Sequence, residues 1–336
     1  MIVAFGEAML RLAPPNFQRI EQARSFDVEV GGTELNTLAA LSRLGHSTHW
    51  VSALPENALG RLVLNRMREA GVGTKHVLFD EEGRCGLYFV EFGASPRASS
   101  VTYDRAASSV SQVSAGSSSF WSGWKPGTFD WKTIFAGQKW FHLTGITPAL
   151  GENCAEAAKE AIGFAREFGL RISFDINFRS KLWTASDASR VLRGLINGVD
   201  LLIATEEDGQ QLFGLSPTSY GDLAKHLADK YAVRYVAAIR REAPRVWQNR
   251  IGGVGYHNGN TFEVPMIDVE IVDRLGAGDA FVAGLIHGLM ESDFEKGLQY
   301  GTAMAALQHT TPGDLPWFTL EDIEAVLDGD GLRIKR

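Results

Sequence analysis

The chain has 336 residues, 45% hydrophobic and 22% charged, the composition of a globular protein that can bury a large core and not that of a disordered chain. A formal net charge of -7 argues against nucleic acid or an anionic membrane as the main partner, because both need clustered positive charge. Two cysteines, Cys85 and Cys154, exclude a disulfide framework or Cys-rich metal site and fit a reducing, cytoplasmic setting. No basic region followed by a long apolar run marks a signal peptide, and no apolar stretch of about 18 residues marks a membrane span.

In chain order, the apolar run Ile2 to Phe5, ended by Gly6, predicts a buried strand feeding a turn. After Gly31 and Gly32, the residues Leu35, Leu38, Ala39, Leu41 and Leu44 follow helical spacing until Gly45 stops them. The strand-then-helix pattern recurs in HWVSAL with GRLVLNRMREAG, RISFDIN with SDASRVLRGLING, and VDLLIA with EEDGQQLFG, while AKHLADKYA precedes VRYVAAI. Such alternation predicts right-handed crossovers and a parallel sheet between helical layers.

Two regions break the rhythm. Residues 17–30 and 84–105 each carry strand-like runs with no helix inside the region, which predicts antiparallel strands of a small separate sheet able to cover a pocket. The expectation is a single domain over residues 1–336 with strands from about 8–30 and 84–105 inserted as a lid. Residues 107–123 are rich in Ser and Gly and read as a loop, 329–336 as a polar tail, and the glycine pair at 252–253 as a turn.

The most informative stretch is 269–290, where an apolar run meets Gly276-Ala277-Gly278-Asp279 and then a long apolar helix. Small residues before a helix let main-chain N–H groups converge on an anion, and the helix dipole adds partial positive charge there. Asp279 is then either a cap of that helix or a carboxylate aimed into the same pocket. Phosphoryl transfer to a hydroxyl needs both parts, a carboxylate to take the proton and donors to neutralise the transferred group. Neither a P-loop nor a G-x-G-x-x-G turn is present to suggest another nucleotide site. His142, His287 and His309 lack mutual metal-ligand spacing, so zinc is not expected.

With Asp273-Arg274-Leu275 ahead of Gly276-Ala277-Gly278-Asp279, the chain resembles the ribokinase or PfkB-type carbohydrate kinases, and GEAMLRL at the start, the Gly31-Gly32 turn with Asn36, and the lid-like strands fall in family order. The resemblance implies a ribokinase-like three-layer α/β/α sandwich with a mainly parallel sheet and a small β-sheet lid. It further implies Asp279 as catalytic base, Gly276, Ala277 and Gly278 as an anion hole, and ATP with Mg²⁺. A monovalent cation such as K⁺, beside the loops of Asp273 and Gly313, is a further cofactor that it allows.

The phrases GEAMLRLAPP, LTGITPAL, DINFRSKLW and HTTPGDLPWF look more like 2-keto-3-deoxygluconate kinases than like ribokinase. By that resemblance Gly32 and Asn36 bind substrate hydroxyls, and Tyr88, Tyr103, Arg105 and Arg179 complete the substrate set. An arginine fork suits the carboxylate of a sugar acid, although a surface ion pair remains open for Arg105 and Arg179 and a phosphate contact to ATP for Arg179. A kinase of a neutral sugar such as fructose or ribose, and a non-catalytic sugar-binding protein, are the alternatives. Where family members carry Asn-x-x-Glu, this chain has Thr205-Glu206-Glu207-Asp208, so Thr205 is assigned to the nucleotide and Asp208, with Glu207 as alternative, to the metal. Arg240 is set toward the triphosphate, with a solvated surface cation as the competing reading. Open lid edges leave a homo-dimer as the expected assembly.

Overall fold

The computed structural model describes residues 1–111 and 128–329. Strand β1 (Ile2–Phe5) leads to β2 (Met9–Ala13) and β3 (Asp27–Gly31), then to helix α1 (Thr33–Arg43), β4 (Thr48–Pro55), α2 (Ala58–Glu69), β5 (Gly73–Asp80), β6 (Gly86–Glu91) and β7 (Ser100–Asp104). The central part holds α3 (Trp131–Phe135), β8 (Trp140–Thr144), α4 (Ile146–Ala149), α5 (Glu152–Glu167), β9 (Arg171–Asp175), α6 (Ala185–Leu195), β10 (Leu201–Ile203), α7 (Glu206–Phe213) and α8 (Tyr220–Tyr231). The last part holds β11 (Tyr235–Arg245), β12 (Gln248–His257), β13 (Asn260–Glu270), α9 (Ala277–Glu291), α10 (Phe294–Gln308) and α11 (Leu320–Leu327).

Nine strands form one sheet in the order β13-β12-β11-β10-β9-β8-β1-β4-β5, and β3-β2-β6-β7 form a second, smaller sheet. From β5 across to β11 the large sheet is parallel, and β12 and β13 extend it as an antiparallel hairpin. The alternation of strand side chains divides the interior in two. Ile2 and Ala4 of β1 point into one core, with α1, α9 and α10, while Val3 and Phe5 point into the other, with α5, α6 and α8. Helix α9 is largely apolar and buried, and it packs against α1 and α10. A Cβ on Gly284 would stand 2.4 Å from the Gly301 nitrogen, and one on Gly288 would stand 2.2 Å from the Gly297 Cα, so glycines let α9 and α10 close on each other.

Three expectations need correction. Residues 17–26 form no strand, only a short 3₁₀ turn at Ile20–Gln22, and the strand begins at Asp27. The small sheet is not wholly antiparallel, because β2 pairs parallel with β6 from Met9 opposite Gly86 to Leu12 opposite Phe89. Gly252 and Gly253 lie inside β12 and not in a turn; a Cβ on Gly253 would meet the Thr302 hydroxyl at 2.5 Å, and one on Gly255 the Phe294 ring at 2.6 Å. Glycine there admits the close approach of α10 and also hides the strand from a reading of side-chain pattern. The Ser-rich segment falls inside the described residues only over 107–111 and the polar tail only at Gly329. Among the described residues, no helix is long and apolar enough to cross a membrane.

Candidate active site

The C-terminal edge of the parallel strands opens into a cleft of about 1850 Å³. Glu7 after β1, Asp175 at the end of β9, Thr205 after β10 and Arg241 on β11 all face it, as open α/β sheets place ligand groups beyond their strand ends. The N-termini of α1 and α9 reach the same space, and the small sheet borders it through Tyr88, Tyr103 and Arg105.

The turn before α9 has a conformation that only its own residues permit. Gly276 is left-handed at φ 79°, and a Cβ there would stand 2.3 Å from the Asp314 carbonyl oxygen. A Cβ on Gly278 would meet nothing within 4 Å, because that backbone borders the open cleft. The first N–H groups of α9 have no partner inside the helix and are presented at its positive end.

Gly276, the N-cap of α9, has no side chain to close the helix, and Asp279 at the third helical position forms no capping box with it, so that carboxylate is not spent in closing its own helix. Asn36 Nδ2 donates to Asp279 Oδ2 at 2.7 Å, while Asn36 Oδ1 accepts from the Gly32 N–H at 3.3 Å. Oδ1 of Asp279 has no hydrogen-bond partner among the described residues. Burial lifts the Asp279 carboxyl to about 7 against the pull of the Asn36 bond, with the charges of Asp314 and Glu34 adding to the rise. Gly31 and Gly32 are needed for packing: a Cβ on Gly31 would strike the Tyr88 hydroxyl, and one on Gly32 the Glu7 carbonyl oxygen at 2.2 Å.

Further charges line the cleft. Asp175 is raised to about 8, first by burial and then by the charges of Asp208 and Asp279. Thr205 caps α7: its Oγ1 accepts from the Asp208 N–H at 3.1 Å, and Asp208 Oδ2 accepts from the Thr205 N–H at 2.8 Å. Burial raises Asp208 despite those bonds. Glu207 accepts from Gln211 at 2.8 Å. Arg179, Arg241 and Arg274 border the cleft, and none of the three forms a salt bridge among the described residues. Burial first, then the charges of Arg274 and Arg179, push Arg241 below its ordinary value.

Arg240 is a correction. It lies on the other face of β11, paired at 3.0 Å with Glu263 in an exposed bridge on β13, and does not line the cleft. The next residue, Arg241, does, because successive strand side chains point to opposite faces.

Tyr88 is buried, and its hydroxyl donates to Asp314 Oδ2 at 2.7 Å. Burial foremost, helped by that carboxylate, holds the phenol well above its ordinary value. Tyr103 stacks on Tyr88 with ring centroids 6.0 Å apart and is half exposed. Arg105 also lines the cleft, but its Nε donates to Glu7 Oε2 at 3.0 Å and its Nη2 to the same oxygen, while Ser108 donates to Glu7 Oε1. Its charge is therefore already balanced within the protein.

Residues 1–317 match the profile of the pfkB family carbohydrate kinases. The chain belongs to that family. It is 38% identical to a 2-dehydro-3-deoxygalactonokinase of Haloferax volcanii over 100% of this chain and 99% of that one. A solved 2-dehydro-3-deoxygluconokinase of Thermotoga maritima superposes with a TM-score of 0.91 at 38% identity over 98% of each chain. A putative ribokinase II of E. coli, solved with ATP and Mg²⁺, shares the fold at TM-score 0.80 and 20% identity over 98% of this chain and 99% of that one.

As a pfkB-family enzyme the protein is a phosphotransferase with an alcohol group as acceptor. Its cleft suits the nucleotide such an enzyme uses, since free N–H groups of α9 and three unpaired guanidiniums face one space. A hard divalent ion fits as well, because Asp175 and Asp208 are carboxylates raised foremost by burial, with the charge of Asp208 adding to the rise of Asp175 and that of Glu207 to the rise of Asp208. Among the described residues no three His, Cys, Asp or Glu side chains are grouped so as to hold a metal ion. Four residues that line this kinase's cleft have no role assigned from the sequence: Glu7, Asp175 and Arg274, which lie within the quoted motifs, and Arg241. For Asp175 the signal lies in its place at the end of a predicted parallel strand, and for Arg241 in strand alternation.

Proposed function

We propose that the protein is an ATP-dependent kinase of 2-keto-3-deoxy sugar acids, with 2-keto-3-deoxygluconate as the preferred acceptor and Asp279 as general base. One observation carries the reading. The Asp279 carboxylate is held by Asn36 in a cleft at the end of a helix with free N–H groups, and its pKa is lifted to about 7, where it takes a proton most effectively at neutral pH.

The free Asp279 Oδ1 accepts the proton of the acceptor hydroxyl as that oxygen bonds to the γ-phosphorus of ATP. The bond from that phosphorus to the bridging oxygen breaks, leaving ADP, and the proton later passes to solvent. Main-chain N–H groups at Gly276, Ala277 and Gly278 hold the transferred phosphoryl oxygens, and Mg²⁺, when bound near Asp208 and Asp175, supplies positive charge to the phosphates. Gly32 and Asn36 border the acceptor site from α1, and Tyr103 and Arg105 from the small sheet, which serves as a lid that keeps water from competing as acceptor. Arg179, with no internal carboxylate partner, is the stronger candidate for an acid group or phosphate than Arg105. The sugar acid is favoured by the two relatives at 38% identity, one named for each epimer. The open edges of β3 and β7 offer the contact for a homo-dimer, which size-exclusion chromatography tests.

ADP release measured with 2-keto-3-deoxygluconate, 2-keto-3-deoxygalactonate, fructose and ribose tests the substrate assignment. The highest kcat/KM is expected for the gluconate. Preference for the galactonate moves the assignment to its epimer, and preference for a neutral sugar sinks the sugar-acid reading.

A further inference from the structure

The two loops that shape the anion turn are tied together by a residue from the small sheet. Arg11 of β2 is only 3% exposed, and its guanidinium reaches both Asp273, ahead of the turn, and Asp314, in the loop after α10. The Nη1 bond to Asp314 Oδ1 measures 2.8 Å, and Nη2 donates to Asp273 Oδ2. Burial works against this charge, but the two carboxylates outweigh it and hold the guanidinium above its ordinary value. Behind the guanidinium lies the Phe92 ring, 5.3 Å from its carbon.

The same carboxylates shape the turn directly. Asp273 Oδ1 accepts from the N–H groups of Arg274 at 2.7 Å and Leu275 at 3.2 Å, and Oδ2 also accepts from Gly313 N–H at 3.0 Å. Asp314 Oδ2 accepts from Tyr88, and the Asp314 carbonyl oxygen abuts the place where a Gly276 side chain would stand. Gln308 Nε2 bridges the two loops, donating to the carbonyls of Leu275 at 3.3 Å and Gly313 at 2.9 Å.

A monovalent ion beside these loops would need carboxylate or main-chain carbonyl oxygens that face it without an intervening hydrogen, and the Leu275 and Gly313 carbonyls already accept from Gln308. Here each of the four oxygens of Asp273 and Asp314 already accepts from an N–H or O–H donor, and a guanidinium occupies the space between them. The residues do not fit a K⁺ ion at this place.

We propose that Arg11 is the resident cation of the phosphoryl-transfer turn: it fixes the Gly276–Gly278 donors from the small sheet, and turnover therefore requires no monovalent ion. Arg11 touches neither substrate and is a positioning residue. The inference rests on the kinase reading but not on the identity of the sugar, since any acceptor the enzyme phosphorylates serves for the test.

The deciding experiment needs no variant. Turnover is measured with MgATP and acceptor as tetramethylammonium salts, then with that ion exchanged stepwise for K⁺ at constant ionic strength so that screening is unchanged. The expected change in kcat is less than about twofold, whereas a rise of about tenfold or more on adding K⁺ overturns the proposal. Arg11→Ala supplies the second arm. Its kcat is expected to fall by about tenfold or more and to recover in part with added guanidinium or K⁺, a rescue that lost packing alone would not show. Wild-type kcat in that variant also overturns the proposal. If Arg11→Ala does not fold, Arg11→Lys keeps the charge and is expected to retain turnover without K⁺; a K⁺ requirement in that variant counts against the role. Failure of the sugar assignment looks different: the wild-type enzyme is then idle on ketodeoxygluconate whatever the salt.

Discussion

The two sides of the cleft treat their charges in opposite ways. Toward the small sheet, Arg11 is bonded to Asp273 and Asp314, and Arg105 to Glu7, so each cation has a buried counter-ion before any ligand arrives. Around the turn and the strand ends, Arg179, Arg241 and Arg274 have no carboxylate partner among the described residues, and Asp175 and Asp279 are raised to about 8 and about 7. The first set holds shape and the second is left for ligands. A charge satisfied within the protein contributes to the fold, and one kept close to like charges and out of water is destabilising until a substrate supplies the counter-charge.

Breaking the satisfied side has the largest expected effect on stability. Arg11→Met strands two buried carboxylates and is expected to cost about 3–5 kcal/mol in urea unfolding; a loss near zero would mean that the Arg11 network bears no weight. On the unsatisfied side the signs reverse. The double change Arg241→Gln and Arg274→Gln is expected to raise KM for ATP by roughly ten- to a hundredfold, the loss of charge-assisted bonds to phosphate. It should leave the melting temperature equal or higher, because it removes like-charge repulsion. A drop in melting temperature with KM unchanged would place those arginines in the satisfied class.

The raised carboxyls sharpen the contrast through pH. Asp175 and Asp279 hold protons in the folded chain at pH values where an unfolded carboxyl, near about 4, has lost its own. Stability from these groups is thus full in acid and declines as pH rises through about 7 for Asp279 and about 8 for Asp175. Asp175→Asn cannot ionise, so its melting temperature should gain on the wild type between pH 5 and 8; a difference that does not vary with pH refutes the assignment. The smallest effect belongs to the surface: Arg240→Ala breaks an exposed pair and is expected to change stability by less than about 0.5 kcal/mol with KM for ATP unmoved.

What the sequence made legible is what lies close together along the chain. Gly276, Gly278 and Asp279 sit within one turn, where residue type and backbone need coincide, and the alternation of strand and helix disclosed the parallel sheet. The Arg11 network was hidden because its partners lie 262 and 303 residues away, and nothing local distinguishes that arginine from a surface one. Arg240 was chosen over Arg241 because composition ignores which face of a strand a residue occupies. Strand β12 is hidden in the sequence because Gly253 and Gly255 answer to the approach of α10 and not to strand propensity. Asn36 is a sugar-binding candidate from the sequence, and the structure adds that its amide donates to the Asp279 carboxylate, a contact between α1 and α9 that spacing does not reveal.

The central claim, that Asp279 takes the acceptor's proton, is tested most directly by Asp279→Asn, with turnover and MgATP affinity measured on the same preparation. The account predicts that kcat falls by about a hundred- to ten-thousandfold while the nucleotide still binds within a few-fold of wild type. Turnover close to wild type in that variant would contradict it.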